Sequence, residues 1–417
     1  MPVILDPQSP DLCSLIRPGD RVLWGQANAE PLPLTQALMR QRHRIGRFEV
    51  MLGIANSTTC TPEQADCVSF SAYCGAGANR DLASAGLLDI LPCHYSEMAE
   101  RLADGKLRID VLMLQLAPPD SQGRYSLSLA CEYLPAALKH ARVVIAEVNR
   151  QAPRTHGPHW LHEDDLHAVL FSDRAPLVNA ASRIRQADES IAQLIAALVP
   201  DGATLQIGIG AIPEAVLSAL GNHQDLGVHS GALSDGIARL MQRGVITNRR
   251  KHRDRGISVG GILMGSQVLH DYAHDNPAIE LRASQYTHDR DVLASLDQLT
   301  AINSAIEVDL TGQVNSEVAV GSYLGAVGGA LDFIRGAQRS RGGLPIIALP
   351  ASAGASSRIV SRLSGPTTIP RSDVGLIVTE YGVADLRGLN LRQRVQAMLG
   401  IAAPQHRERL ESEWAGF

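Results

Sequence analysis

Gln206-Ile-Gly-Ile-Gly-Ala-Ile-Pro-Glu-Ala-Val-Leu-Ser-Ala-Leu220 reads as a strand, a tight glycine turn and a helix. The run from Ala203 to Ile207 is free of breakers, with apolar residues at 203, 205 and 207. Gly208 and Gly210 allow a sharp turn and a close approach of the backbone to a ligand. Pro213 falls in the first helical turn, where its missing N–H costs little. Ala215, Val216, Ala219 and Leu220 then follow at helical spacing. A helix that begins behind a glycine loop presents unpaired N–H groups, which suit a phosphate, a carboxylate or a developing oxyanion.

The same grammar appears earlier in the chain. Pro18-Gly-Asp-Arg-Val-Leu-Trp-Gly25 is a turn and a strand, and Glu30-Pro31 opens a helix with Leu34, Ala37 and Leu38 on one face. Pro200-Asp-Gly-Ala-Thr-Leu-Gln-Ile-Gly208 followed by Pro213-Glu214 repeats it. Recurrence of turn, strand, glycine loop and proline-led helix points to two related α/β domains in tandem. The boundary is placed near 185, giving domains 1–185 and 186–417. A length of 417 residues, 45% hydrophobic residues, 4% aromatics and 37 glycines fit parallel α/β architecture better than a sandwich.

Further strands are expected at Phe48–Leu52, Val68–Ala72, Ile109–Leu116 and Arg142–Val148. The last two are apolar at nearly every position, as central parallel strands are. Helices are expected at Asp81–Leu88, Tyr95–Ala103 and Asp188–Leu198. In the second half, Thr300–Leu310 reads as a strand interrupted by Asn303, Glu307 and Asp309. Gly325-Ala-Val-Gly-Gly329 is a second glycine loop entering a helix. Strands at Pro345–Pro350 and Val374–Thr379 and a helix at Arg387–Met398 follow.

A net charge of −5 leaves no broad basic face for nucleic acid. The first residues lack a signal peptide's pattern, and no apolar run reaches membrane-span length, so a cytoplasmic protein without membrane contact is expected. The six cysteines, at 13, 60, 67, 74, 93 and 131, form no CxxC pair and read as buried thiols. Cys74 next to Gly75 is a lesser candidate nucleophile. His156, His159 and His162 fall three apart, but Gly157 and Pro158 break any helix that would align them, so no metal is expected. Arg249–Arg253 is read as a solvated basic turn, and Pro118-Pro-Asp120 as a loop beyond a strand end.

Several long stretches together carry a family resemblance. These are Gly208-Ile-Gly-Ala-Ile-Pro213, Ala301-Ile-Asn-Ser-Ala-Ile-Glu-Val-Asp-Leu-Thr-Gly-Gln-Val-Asn-Ser-Glu317, Gly328-Gly-Ala-Leu-Asp-Phe-Ile-Arg-Gly-Ala337, Val378-Thr-Glu-Tyr-Gly-Val-Ala-Asp-Leu-Arg-Gly388 and Ile145-Ala-Glu-Val-Asn-Arg-Gln-Ala-Pro-Arg-Thr-His-Gly157. They resemble the acetyl-CoA hydrolase/transferase family, which includes the 4-hydroxybutyrate CoA-transferases. The resemblance implies two tandem open, mainly parallel-sheet α/β domains of the CoA-transferase type, with the site in the cleft between them. It also implies a homodimer or higher oligomer. An acyl-CoA and a small carboxylate would be the substrates, with no cofactor beyond the coenzyme A thioester itself.

The resemblance further implies site residues. Gly208, Ile209 and Gly210 match a loop whose N–H groups polarise the thioester carbonyl. Asn303 matches an asparagine beside it. Gly325, Gly328 and Gly329 match the loop passed by the pantetheine arm. One position departs from the pattern. Where relatives carry a nucleophilic glutamate, within His229-Ser230-Gly231-Ala232, this chain has Gly231, which has no side chain to form a covalent intermediate. A void at 231 would follow. Three readings stay open: hydrolysis by a bound water, CoA transfer through another carboxylate with Glu317 or Glu214 nearest by motif, or binding of a CoA ester without chemistry.

Overall fold

The computed structural model describes residues 1–415. The chain forms two compact units. The first comprises Met1–Ala180 with Val259–Thr287, and the second Ala181–Ser258 with His288 onward.

The first unit is built on an eight-stranded parallel sheet. Its strands are β1 (Val3–Ile4), β2 (Arg21–Trp24), β3 (Phe48–Leu52), β4 (Val68–Ala72), β5 (Leu88–Ile90), β6 (Val111–Leu116), β7 (Val143–Asn149) and β8 (Ala168–Ser172). Their spatial order is β1-β8-β7-β6-β2-β3-β4-β5. Every residue of β6 and β7 is buried, as their largely apolar sequence requires, and the three polar exceptions, Gln115, Glu147 and Asn149, are partnered inside: Asn149 Nδ2 donates to Gln115 Oε1, and Glu147 pairs with Arg174. Helix α1 (Leu32–Ile45) buries Leu34, Ala37 and Leu38, the face expected from spacing. The helix expected over Asp81–Leu88 is shorter, Asn79–Ser84. Gly86 takes φ +68°, a left-handed residue that stops the helix, and Leu88 enters β5 beside Phe70.

The second unit is built on a six-stranded sheet: β9 (Thr204–Ile207), β10 (Gly227–Val228), β11 (Leu299–Ser304), β12 (Leu344–Ala348), β13 (Leu376–Thr379) and β14 (Gly382–Asp385). The order is β10-β9-β11-β12-β13-β14, and only the β13–β14 pair is antiparallel. Helices α2 (Gln186–Leu198), α3 (Ala211–Ala219) and α4 (Ala330–Arg339) belong to this unit. The polar interruption at 303–309 is real. After Ser304 the chain leaves the sheet, and Glu307–Asp309 joins a separate three-stranded sheet.

The repeated grammar marks equivalent places. In the first sheet the order reverses at β2, flanked by β3 and β6. In the second it reverses at β9, flanked by β10 and β11. These are the strands singled out by the repeat.

The division at 185 misses one excursion. Residues 259–287 lie beyond it in sequence yet pack with the first unit. Cys131 N–H donates to Gly261 O (2.9 Å), Leu263 N–H to Leu129 O (2.8 Å) and Leu281 N–H to His156 O (2.9 Å). Gly157 accommodates this pairing, because a β-carbon there would stand 2.2 Å from Leu281 O. Backbone pairing of this kind leaves little trace in the periodicity of either partner. Among the described residues no helix is long and apolar enough to cross a membrane.

Candidate functional site

Loops at the carboxyl ends of β9 and β11 flank a strand-order reversal, the place where open α/β sheets receive ligands. Gly208 follows β9, and its N–H donates to Ile302 O on β11 at 3.0 Å. Asn303 is the next residue of β11. Its carboxamide pairs with that of Gln206: Asn303 Nδ2 donates to Gln206 Oε1 (2.9 Å), and Gln206 Nε2 donates to Asn303 Oδ1 (3.2 Å). A β-carbon on Gly208 would lie 3.8 Å from Asn303 Oδ1. The structure therefore brings the first glycine loop and Asn303 together.

Gly210 is the N-cap of α3 and takes φ +116°, ψ −171°, a conformation open to glycine and strained for other residues. Nothing lies within 4 Å of where its β-carbon would be, so conformation and not crowding demands glycine. Ile209 projects from the loop and is exposed. The N–H groups of Ala211 and Ile212 open α3.

Gly231 joins the same edge. Ser230 Oγ donates to Ile207 O (3.1 Å) and accepts from Ile207 N–H (3.3 Å), so Gly231 begins one residue past a bridge to the end of β9. His229 is buried, and its N–H donates to Leu205 O. Lys251, expected in a solvated turn, is buried instead. Its ammonium donates to Val228 O (2.8 Å) and Ile257 O (2.7 Å), and so holds the strand that leads to Gly231. Position 231 is not a void. Its β-carbon direction is faced by the His288 ring, with Cε1 and Nε2 both at 3.3 Å, and by Phe333 of α4. Sequence reading missed His288, because nothing in Tyr286-Thr-His-Asp-Arg290 marks it off from an ordinary loop.

Glu317 is buried in a tight turn. Its carboxylate accepts from Tyr323 OH (2.8 Å) and Thr368 Oγ1 (2.7 Å). Its carbonyl accepts the N–H groups of Leu324 (2.8 Å) and Gly325 (2.9 Å). A β-carbon at Gly325 would stand 1.9 Å from Ser316 O, so this approach needs glycine. Gly328, at φ +56°, and Gly329 lead directly into α4. Ser316 Oγ donates to Ser304 O (3.4 Å), which ties this group to the end of β11. Glu214 is held in an ion pair with Arg239 (3.1 Å).

The remaining candidates sit elsewhere. Cys74 is buried, and burial pushes its thiol up to about 11, which keeps it protonated at neutral pH. Cys60, Cys93 and Cys131 are also buried, whereas Cys13 and Cys67 are only half-buried. Asp120 closes its own turn onto Arg124. A cavity of about 530 Å³ in the first unit, lined by Gln36, Arg40, Asn56, Ser57 and Gln64 among others, includes none of the expected site residues.

The first unit also holds a buried carboxylate that sequence reading missed. Glu132 accepts from Gln26 Nε2 at both oxygens (2.9 and 2.8 Å) and from Tyr95 OH. Burial raises it to about 7, against the opposing hydrogen bonds of Tyr95 and Gln26. A lone acid in Leu129-Ala-Cys-Glu-Tyr-Leu134 was the available signal.

Residues 8–177 match the acetyl-CoA hydrolase/transferase N-terminal domain, and residues 265–414 match the C-terminal domain of the same family. The chain belongs to the acetyl-CoA hydrolase/transferase family. It is 36% identical to the 4-hydroxybutyrate coenzyme A transferase of Clostridium kluyveri, over 96% of this chain and 95% of that one. Among solved structures, RipA from Yersinia pestis superposes with a TM-score of 0.94 at 33% identity, covering 99% of this chain and 97% of that one. The 4-hydroxybutyrate CoA-transferase of Porphyromonas gingivalis superposes at 0.83 with 33% identity and the same coverage. The family's two tandem domain models and the mainly parallel α/β sheets agree with the fold class expected from sequence.

Proposed function

We propose that this member of the acetyl-CoA hydrolase/transferase family breaks the thioester of short acyl-CoA substrates at the carboxyl ends of β9 and β11, without a glutamyl-CoA intermediate at position 231. The observation that carries this reading is the meeting of Gly208–Gly210, Asn303 and Gly231 beside one strand-order reversal. The N–H groups at the start of α3 and the Asn303 amide are donors suited to a thioester carbonyl that gains negative charge during attack. The Gly325–Gly329 loop, whose glycines permit close backbone approach, suits passage of the pantetheine arm. The named relatives, 4-hydroxybutyrate CoA-transferases, support a short acyl group. Glu317 is the carboxylate through which transfer would run if a covalent route exists.

The purified protein is incubated with acetyl-, butyryl- and 4-hydroxybutyryl-CoA, with and without acetate, while free thiol and new acyl-CoA are followed. Thiol without acceptor indicates hydrolysis, and new acyl-CoA without thiol indicates transfer. Binding with neither product would make the protein a non-catalytic CoA-ester binder and defeat the proposal. In two-substrate kinetics, ping-pong exchange would call for a covalent carboxylate other than 231. Light scattering on the same preparation tests the expected homo-oligomer.

A further inference from the structure

Arg358 follows the hairpin of Ser352–Ala353 and Ser356–Ser357, on the loop that leaves the carboxyl end of β12. Its backbone is fixed. Arg358 N–H donates to Ala351 O (2.9 Å), and Arg358 O accepts from Val308 N–H (2.9 Å). Val308 lies just past Ser304, the last residue of β11, and β12 pairs with β11 so that Asn303 stands opposite Ile347. Arg358 therefore belongs to the same end of the second sheet as Asn303. It is half-buried. Every other half-buried arginine among the described residues is held in an ion pair or by backbone carbonyls. Arg358 has neither: among the described residues no carboxylate forms an ion pair with it, and no acceptor takes a hydrogen bond from its guanidinium. The carboxylates around it are committed elsewhere. Asp188 accepts from Arg185 N–H (2.9 Å) and Nε (3.3 Å), and Glu380 accepts from Ala351 N–H (2.8 Å). The hairpin holds a second orphan, because Ser352 Oγ is buried without a hydrogen-bond partner.

On the reading that this end of the sheet receives an acyl-CoA, we propose that Arg358 binds an anionic oxygen pair of the substrates, as a carboxylate or a phosphate presents it. Its planar fork donates two parallel N–H bonds to two oxygens of one such group, and the charge strengthens both. Partial burial of an unpaired guanidinium is costly, and an anion that arrives with the substrate offsets that cost. Burial, and after it the Arg185 charge, lower the Arg358 pKa against the opposing pull of Asp188 and Glu380, as expected of a cation short of partners. An arginine stays protonated even so. The reaction brings two sources of such oxygens, the carboxylate of the small acid and the phosphates of CoA. Either way the role is binding, so its loss acts on Kd and KM and leaves kcat in place.

The test titrates wild type, Arg358→Gln and Arg358→Lys calorimetrically with CoA, inorganic phosphate and acetate. It also measures kcat and KM with acetyl-CoA, acetyl-pantetheine and acetate. With no bonded partner to lose, ligand-free Arg358→Gln should melt no earlier than wild type. It should weaken one of the anions about 10- to 100-fold while kcat moves by less than about threefold. Arg358→Lys should recover only part of the loss, because an ammonium lacks the fork. Weaker CoA binding with an unchanged KM for acetyl-pantetheine, which has no CoA phosphates, assigns a phosphate. Weaker acetate binding with CoA unchanged assigns the carboxylate. A folded Arg358→Gln that binds CoA, phosphate and acetate as wild type does would overturn the proposal and leave a solvated arginine only. Phosphate or acetate binding that depends on Arg358, in a protein that binds neither CoA nor its esters, would keep the anion site and strike the acyl-CoA reading. A wild type that binds none of the three would overturn both.

Discussion

The carboxamides of Gln206 and Asn303 grip each other across the β9–β11 boundary, each donating to the other's oxygen at 2.9 and 3.2 Å. This reciprocal pair fixes the Asn303 rotamer and spends one of its two N–H groups; on the proposed reading, the second is the donor to the thioester carbonyl. Gln206→Ala should therefore lower kcat about tenfold, and Asn303→Ala about 100-fold or more, the usual loss for an oxyanion donor. If Gln206→Ala keeps full kcat while Asn303→Ala loses it, the pair does not position the amide.

Gly210 separates conformation from bulk. With open space around its β-carbon direction, the added carbon of alanine meets no neighbour, and alanine and valine are both penalised by φ +116°. The strain is on the order of 1–3 kcal/mol. Gly210→Ala and Gly210→Val should both fold and should lose activity to a similar degree, about 10- to 100-fold. Full turnover by Gly210→Ala would reduce the loop to a plain turn.

Glu132 makes stability depend on pH in an uncommon direction. Its carboxyl is raised from 4.5 to about 7 by burial, so the fold holds a proton that the unfolded chain releases. The contribution is complete below pH 4.5 and is lost as pH rises through 7, up to roughly 3 kcal/mol in all. Urea midpoints measured from pH 5 to 8 should fall with rising pH, after correction for other groups by comparison with Glu132→Gln. In that variant the slope over this window should flatten. Identical slopes in the two proteins would mean that Glu132 is ionised in the fold throughout.

Val320 occupies the tip of the Val318–Tyr323 hairpin, fully exposed and at φ +50°, followed by Gly321 at φ +74°. Two consecutive left-handed residues favour Asn-Gly and penalise a β-branched side chain. Val320→Asn should stabilise the protein by about 1 kcal/mol, read as a higher urea midpoint. A lower midpoint would contradict the strain assigned to this turn.

The sequence was most legible where chain periodicity and local chemistry coincide. The apolar runs of β6 and β7, the turn at Gly208–Gly210 and the interruption after Ser304 were all written locally. So was the strand at which each sheet reverses, because the repeat marked both copies. What stayed hidden depends on partners distant in sequence. His288 matters through its place beside Gly231, and no residue near it announces that contact. Glu132 went unmarked in the sequence, because the Gln26 and Tyr95 that close around it lie far along the chain. Lys251 looked solvated within its basic run, although the fold spends it on two carbonyls. Gly231 was visible as an absence, but only the structure shows an imidazole in that space.

The excursion of Val259–Thr287 back into the first unit has a consequence for biosynthesis. The first unit lacks part of its partner backbone until Thr287 has left the ribosome, after Ala181–Ser258 of the second unit have already emerged. At a typical 5–20 residues per second, that delay lasts roughly 5 to 20 s. During it, Leu129, Cys131 and His156 wait for the strands that will pair with them. A nascent chain halted near residue 185 would therefore expose unpaired edges, the kind of surface that holdase chaperones cover.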